Sequence, residues 1–444
     1  MQLPDFTFRA LQRIARSCVH GSLAVLGLAG TALFATAYPA EPALTWERAQ
    51  RLAIERSRQL AADDAAIQGM REMAVAAAQS PDPVLRLGIE NLPVDGADRY
   101  SLNRDFMTMR RIGVMQEFTS ADKRQLRGER YEREAGKAES EKSATLADIQ
   151  RSTALAWLER YYADQAAALL SEQVRQAQLE IDAADSAYRS GRGSQSDVYA
   201  ARAARVMIED RLSETGRKLR TATTTLARWV GAAAAAAPLA DKPATDTVPF
   251  HMHALDEQLA RHPRIERLER QEQLAATEAK LAQANRQADW TGEIAFSQRG
   301  SQYSNMVSFG VSIPLQWDRK NRQDREVAAK LAQVEQARAE REETLRAHRA
   351  EVGTMLVEWN NTRERQTRIE RELLPLTEAR TQAALSAYRG GKASLPDVLG
   401  ARRGEIDVRL QALQLQLDAA RLWAQLRFLI PDRGTIPGKA EGTR

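Results

Sequence analysis

The chain has 444 residues, of which 43% are hydrophobic and 28% charged, and a formal net charge of +5. That balance excludes a disordered chain and a bundle of conventional membrane-spanning helices, and it is too mild to point to nucleic acid. One cysteine in the whole sequence excludes a disulfide framework.

The long apolar run SLAVLGLAGTALFATA, Ser22 to Ala37, follows Arg9, Arg13 and Arg16 and ends in Ala35-Thr36-Ala37. A basic flank, a short apolar stretch and a small-residue site mark a secretory signal peptide. The alternative, a core helix or a retained membrane helix, is disfavoured by the basic flank, the short run and the polar Glu41-Pro42 that follows. Residues 1–40 are therefore expected to be the signal and the start of the mature chain. Their loss removes three Arg and one Asp, taking the charge from +5 to +3. Cys18 precedes the apolar run, so it is not placed as a lipid-anchored cysteine, and the mature chain has neither disulfide nor thiolate metal site.

In chain order, a helical pattern rich in Ala, Leu, Glu, Gln and Arg runs from Trp46 to Gln79. Two alternating runs, Val84 to Ile89 and Thr108 to Phe118, are strand candidates. A helical segment from Asp122 to Arg189 follows, about 100 Å long at 1.5 Å per residue. Along it Leu170, Val174, Ala177, Ile181 and Ala184 form a narrow coiled-coil seam, so it must pack laterally against other long helices. A return helix is expected from Ser194 to Val230. Gly231, the alanines 232–237 and Pro238 then open a turn-rich stretch to Pro249, read as a surface connection.

The same order recurs: helix from Leu255 to Ala288, strands from Thr291 to Ser297 and from Met306 to Leu315, a long helix from Asp318 to Arg389 containing Pro375, and a return helix from Ser394 to Ile430. In the last, Leu410, Leu413, Leu417, Ala420 and Ala424 keep the coiled-coil step. The expected division is one repeat in 41–230, a linker in 231–253, a second repeat in 254–430 and a mobile tail in 431–444. Half-length helices stacked end to end along each long one would give a straight bundle.

The recurrence is sharpest at AYRSGRGSQSDVYAAR from Ala187 and AYRGGKASLPDVLGAR from Ala387, where nine of sixteen positions are identical. Gly191 and Gly193, or Gly390 and Gly391, tolerate φ > 0 where a helix stops and reverses. Ser194 to Asp197 and Ser394 to Asp397 match the Ser-x-x-Asp capping box, with Pro396 in the first turn. Each copy reads as the tip of a helical hairpin. Ser194, Asp197, Ser394 and Asp397 are caps first and functional contacts second.

Residues with chemistry to offer are few. His251, Met252, His253 and His262 border the linker without carboxylates at ligand spacing, so a solvated linker is favoured over a metal site. Met107, Met109 and Met115 share parity along the second strand; thioethers suit Cu(I) or Ag(I), and filling of an apolar face is the competing reading. His348 stands among charges on a long helix and reads as solvent-facing. No phosphate-cradling Gly loop, GxSxG or HExxH occurs, so neither catalysis nor a cofactor is indicated.

Four short strands in an exported chain can cross an outer membrane only within a closed barrel. Known single-chain barrels begin at about eight strands, so protomers must pool theirs, and three would give twelve. Trp290 and Trp317 bracket the second strand pair, Phe296, Tyr303 and Phe309 lie within it, and Phe106 and Phe118 flank the first. Such placement suits a lipid–water interface and equally a soluble sheet.

The duplicated helix–strand–strand–helix–hairpin–helix order and the paired YRxGxxSxxDVxxAR tips resemble TolC-type outer-membrane efflux proteins from Leu44 to Ile430. PDPVLRLGIENLP from Pro81 and FGVSIPLQWDRKNR from Phe309 resemble the heavy-metal branch, the outer component of cobalt–zinc–cadmium or copper–silver systems. The resemblance implies a mainly α fold with a small β part: a homotrimer whose twelve-stranded barrel in outer-membrane lipid continues into a periplasmic helical tunnel closed at the tips. It implies a passive conduit for heavy-metal cations, served by a periplasmic adaptor (membrane fusion protein) and an inner-membrane RND transporter. Tyr188, Arg189, Gly191, Ser194 and Asp197, with Tyr388, Arg389, Gly391, Lys392, Ser394 and Asp397, would receive the adaptor hairpins and hold the closed state.

Two departures stand out. Many relatives carry a further acidic residue one turn after the tip aspartate, where this chain has Ala200 and Gly400, and several metal-branch relatives are anchored by an N-terminal cysteine, whereas no cysteine follows the signal here. Competing readings are a channel for organic compounds or secretion, a periplasmic coiled-coil scaffold or adaptor, which leaves the strands unexplained, and a metal-binding periplasmic chaperone, which explains only the Met and His residues.

Overall fold

The computed structural model describes residues 43–249 and 255–432; the expected signal peptide, His251, Met252, His253 and most of the tail lie outside the described residues. Helix α1 (Trp46–Arg56) starts where the Thr45 hydroxyl accepts from the Arg48 N–H at 3.2 Å. It ends at Ser57, whose extended backbone and hydroxyl, accepting from Leu60 N–H at 3.3 Å, start α2 (Arg58–Ala77). The single helix expected from Trp46 is thus two, because serine is a better cap than an interior helical residue.

Strands β1 (Val84–Glu90) and β2 (Met109–Phe118) lead into α3 (Ala121–Arg189), a helix of 69 residues. The return helix α4 (Gln195–Val230) is followed by a short α5 (Ala232–Ala236), then α6 (Leu255–Ala260) and α7 (Pro263–Ala284). The helix expected from Leu255 also divides. His262 Nδ1 accepts from Arg264 N–H at 3.1 Å, and Pro263 opens α7 at a position that needs no donor.

Strands β3 (Trp290–Gln298) and β4 (Met306–Ser312) precede α8 (Gln323–Arg368), α9 (Leu374–Arg389) and α10 (Leu395–Arg427). The helix expected from Asp318 begins instead at Gln323, and a five-residue π turn, Ile369–Leu373, separates α8 from α9. Pro375 supplies the reason: it lacks an N–H and its ring crowds the carbonyl four residues back, and a widened turn relieves both.

The strands form one antiparallel sheet in the order β1-β2-β3-β4. Ile112 sits opposite Leu87 on one side and Phe296 on the other, and Ile294 opposite Phe309, so β2 and β3 join the two halves of the chain. Gly113 permits this contact: a Cβ there would lie 2.9 Å from Ala295 Cβ.

Helix α3 is the spine. Helix α2 packs on its first part, where a Cβ at Gly128 would lie 3.1 Å from the Ala74 carbonyl and where Arg71 pairs with Glu139 and Lys142 with Asp64. Helix α4 packs on the remainder down to the turn. In the second half α7 pairs with α8 through Glu278–Lys330 at 2.7 Å and Glu272–Arg341 at 2.9 Å, while α10 meets α9 through Arg409–Glu378 at 2.9 Å. Half-length helices therefore share the long ones, as the pattern implies.

The main core lies where these helices meet. Trp46 contacts Trp157, Trp423 and Phe428 with ring centroids 5.9, 5.5 and 6.0 Å apart, and Trp157, Leu158, Leu226, Val352 and Leu426 are fully buried. The stretch after Gly231, expected as a surface connection, is exposed along more than half of its described length and is tied into this core at a few points. Ala235 is fully buried, Leu44 N–H donates to the Pro238 carbonyl at 2.7 Å, and Trp423 Nε1 donates to the Thr247 carbonyl at 2.9 Å. Alanine forms helix readily and its small side chain lets backbone approach backbone. The first tail residues are also fixed, since Gln150 and Asp432 exchange hydrogen bonds of 2.8 and 2.9 Å.

Trp157→Ala is expected to lower stability by about 3–5 kcal/mol, the range for emptying a buried tryptophan site. Chemical denaturation followed by circular dichroism checks this; a loss below about 1 kcal/mol would show that this cluster does not hold the helices together.

Candidate functional site

Two regions carry the features singled out in the sequence: the sheet and the hairpin tips. In the sheet, strand alternation puts Leu85, Leu87 and Ile89, Ile112 and Val114, Ile294 and Phe296, and Val307, Phe309 and Val311 on one face. This face is bare: Leu87 is 71% and Phe309 80% exposed. Its helix-side end carries Phe118 stacked on Trp290 at 4.1 Å and a Trp317 that is 89% exposed, and the loop after β1 brings the exposed Tyr100 and Phe106.

The opposite face is polar. Arg111 pairs with Glu90 at 2.8 Å and with Glu293 at 3.0 Å, among Arg86, Glu117, Ser297 and Ser308 and the glycines at 88, 113 and 310. Met109 and Met115 share this face, half-buried, while Met107 falls just before β2 and is exposed. Six residues of extended chain separate Met109 from Met115, about 20 Å, so the structure does not bring them together on one ion. Among the described residues no group of three His, Cys, Asp or Glu is arranged to hold a metal.

At the first tip, α3 ends with Gly191 at φ 72°, a conformation open to glycine, and Arg192 N–H returns to the Ala187 carbonyl at 2.9 Å. Ser194 Oγ accepts from Asp197 N–H at 3.2 Å and Asp197 Oδ2 accepts from Ser194 N–H at 2.9 Å, a complete capping box. The second tip has Gly391 at φ 70° and Lys392 N–H on the Ala387 carbonyl at 2.8 Å. There Asp397 Oδ2 accepts from both the hydroxyl (2.6 Å) and the N–H (3.0 Å) of Ser394. These bonds hold the Asp397 carboxyl below the usual carboxylate range, the hydroxyl contributing most.

The two hairpins pack through Ile181, Ala184, Val198, Ala201, Leu395 and Val398, with Tyr388 against this cluster and Tyr188 46% exposed. Arg189 pairs within its own helix, with Asp185 at 2.5 Å, and Arg389 and Lys392 have no ion pair among the described residues. Within one chain, then, both tip aspartates are engaged as caps. The ionic ties between helices lie higher: Arg402–Glu180 at 3.2 Å joins α10 to α3, and Arg211–Asp407 at 2.6 Å joins α4 to α10. Burial raises the Glu180 carboxyl, opposed by Arg402.

Sequence reasoning missed these pairs because their members lie 222 and 196 positions apart. Between α4 and α10 runs a cleft of about 290 Å³, lined by apolar residues such as Ala200, Met207, Leu399, Gly400 and Ile406 and also by the charged Glu180, Arg211, Arg402 and Arg403. Ala200 and Gly400, the positions that lack an acidic side chain, thus face this cleft.

Because the Asp397 carboxyl is depressed, its contribution to the second tip is present above the ordinary carboxylate pKa and is lost as pH falls through the lowered value. Ser394→Ala removes the stronger donor, so Asp397 is expected to titrate at higher pH and the tip amides to lose exchange protection sooner on acidification. Carboxyl NMR and hydrogen exchange read this; an unmoved titration would show that the hydroxyl is not the controlling partner.

No family model matches the chain and no curated protein matches its sequence. Solved structures do match. The outer-membrane channel OprN is 16% identical with TM-score 0.73, covering 87% of this chain and 90% of its own. VceC, an outer membrane protein of Vibrio cholerae, is 19% identical with TM-score 0.71 over 86% of this chain and 95% of its own. CusC, whose structures follow folding and transmembrane channel formation, is 16% identical with TM-score 0.72 over 87% and 92%. The mainly helical chain with its four-stranded antiparallel sheet therefore has the fold of these outer-membrane channel proteins.

Proposed function

We propose that the chain, exported by way of residues 1–40, is one of three identical subunits that pool their strands into a twelve-stranded outer-membrane barrel continuing into a periplasmic helical conduit. The sheet carries this reading. One face is apolar and bare, the other polar, and β1 and β4 each keep one unpaired edge. In hydrocarbon an open edge leaves N–H and C=O groups unsatisfied, and pairing β4 of one subunit with β1 of the next removes that cost. Twelve strands fall within the range of known barrels. The aromatic residues at both ends of the sheet then sit at the two lipid–water interfaces.

On this reading the tips form the periplasmic end, a periplasmic adaptor docks at the α4/α10 cleft and around Tyr188 to Asp197 and Tyr388 to Asp397, and an inner-membrane transporter of the RND type supplies the energy. The protein is a passive conduit of a tripartite efflux system. Its cargo is heavy-metal cations, a reading supported by the resemblance of the segments at Pro81 and Phe309 to the metal branch. Met109 and Met115 would each contribute to a ring of three at a different level of the lumen.

Light scattering of the detergent-solubilised protein should give three times the subunit mass. Leu87→Arg should weaken the assembly by about 2–4 kcal/mol, as for a charge at the bilayer midplane, whereas Ser308→Arg on the polar face should be tolerated. A monomeric protein, or equal effects of the two substitutions, would sink the barrel assignment.

A strain lacking the protein is expected to become selectively sensitive to one group among Cu, Ag, Zn, Cd, Co and Ni salts. Sensitivity confined to organic antibiotics would leave the channel standing and remove the metal assignment.

A further inference from the structure

His348, which the sequence places among charges as a solvent-facing residue, is buried in the structure with 4% of its surface exposed. Its Nδ1 lies 3.1 Å from Glu351 Oε2, and its Nε2 has no hydrogen-bond partner. A buried imidazole nitrogen without a partner is unfavourable and calls for one. The ring borders a cavity of about 560 Å³ between α3, the α6–α7 break, α8 and the end of α10.

The charges around this cavity define what it takes. Arg264 and Arg267 line it without an ion-pair partner among the described residues, and Arg151 lines it while sharing its charge with Asp148 at 2.6 Å. Glu351, on the same helix as His348, is the other acid, and Gln425 of α10 is neutral. The second imidazole, His262, lies 4.2 Å from His348 between ring centroids. Because its Nδ1 accepts from the Arg264 N–H, its ring proton is on Nε2, and it offers no free lone pair to a cation. Burial, then His348, Arg264 and Arg151, push its pKa down to about 3, so it stays neutral. Guanidinium groups in excess, an imidazole N–H and a buried nitrogen lacking a partner are a poor set for a metal ion and a good one for a negative oxygen.

We propose that this cavity binds an oxyanion, the carboxylate or phosphate group of a small ligand, held by His348 Nε2–H and the Arg264 and Arg267 guanidinium groups. In the bound form the His348 ring presents both its N–H groups, Nδ1–H to Glu351 and Nε2–H to the anion. The bound group bridges α7 and α8 beside the break at His262. The site does not depend on the channel reading, since every residue in it belongs to one chain.

The test uses the full chain purified in detergent with labelled histidine, the His348 and His262 ring signals being assigned from His348→Gln and His262→Gln. Inorganic phosphate and acetate are titrated separately at constant ionic strength, with chloride as the control, at pH 6 and pH 8. The expected result is a saturable shift of the His348 signal with phosphate, acetate or both, identifying the group preferred. Arg264→Ala with Arg267→Ala, at positions outside the core, should abolish saturation while leaving the circular dichroism unchanged. Absence of saturation with both anions, an equal response to chloride, or saturation that survives the double substitution would each overturn the site.

Discussion

Hydrogen bonding at the edge of a sheet is the constraint on which the rest of this molecule turns. A four-stranded meander with an apolar face toward solvent and two open edges is not a stable end point for a soluble chain, since its edges invite further pairing and its face invites burial. On the function proposed above, closure with copies of itself in lipid would answer both demands; the fold itself is shared with known outer-membrane channels. The polar face gains as well: Arg111 held between Glu90 and Glu293 suits a wet interior and would be costly against lipid tails.

Below the sheet, the long helices face a different problem. Their apolar seams are narrow and rich in alanine, so each contact buries little, and length compensates. Small residues let α2 approach α3 at Gly128, and charged pairs such as Glu272–Arg341 line the seams rather than fill them. Partly exposed pairs of this kind contribute little each, so the tryptophan-centred core carries a large share of the tertiary stability. Buried Lys123 fixes the other end of the spine, donating to the Gln287 carbonyl at 2.5 Å and to Asp289 at 2.8 Å where α3 leaves the sheet.

At the tips, the aspartates that invite a gating interpretation are already used by the backbone. Asp197 and Asp397 complete their capping serines, and the contacts between hairpins are made by an apolar cluster and by Arg402–Glu180 above it. A carboxylate pressed toward neutrality by burial and opposed by a single guanidinium is a tie sensitive to loss of its partner. Any force that separates the hairpins must break this tie and the apolar cluster, and leaves each capping box intact.

By itself the sequence determined what depends on near neighbours along the chain. Helix and strand periods, the glycines with φ above zero at the turns, the Ser-x-x-Asp caps and the alternation that sorts Leu87 from Arg86 are all written within a few residues. What only the tertiary structure decided is which surfaces meet. Pairing of β2 with β3 across the two halves, burial of Ala235 in the core that holds Leu44, the Arg402–Glu180 tie and the placing of His348 against His262 join residues far apart in sequence. No local spacing encodes them. His348 shows the reason most plainly: the charges flanking it in sequence point to solvent, but the helix face that carries it packs against the α6–α7 break, and packing overrides the local pattern.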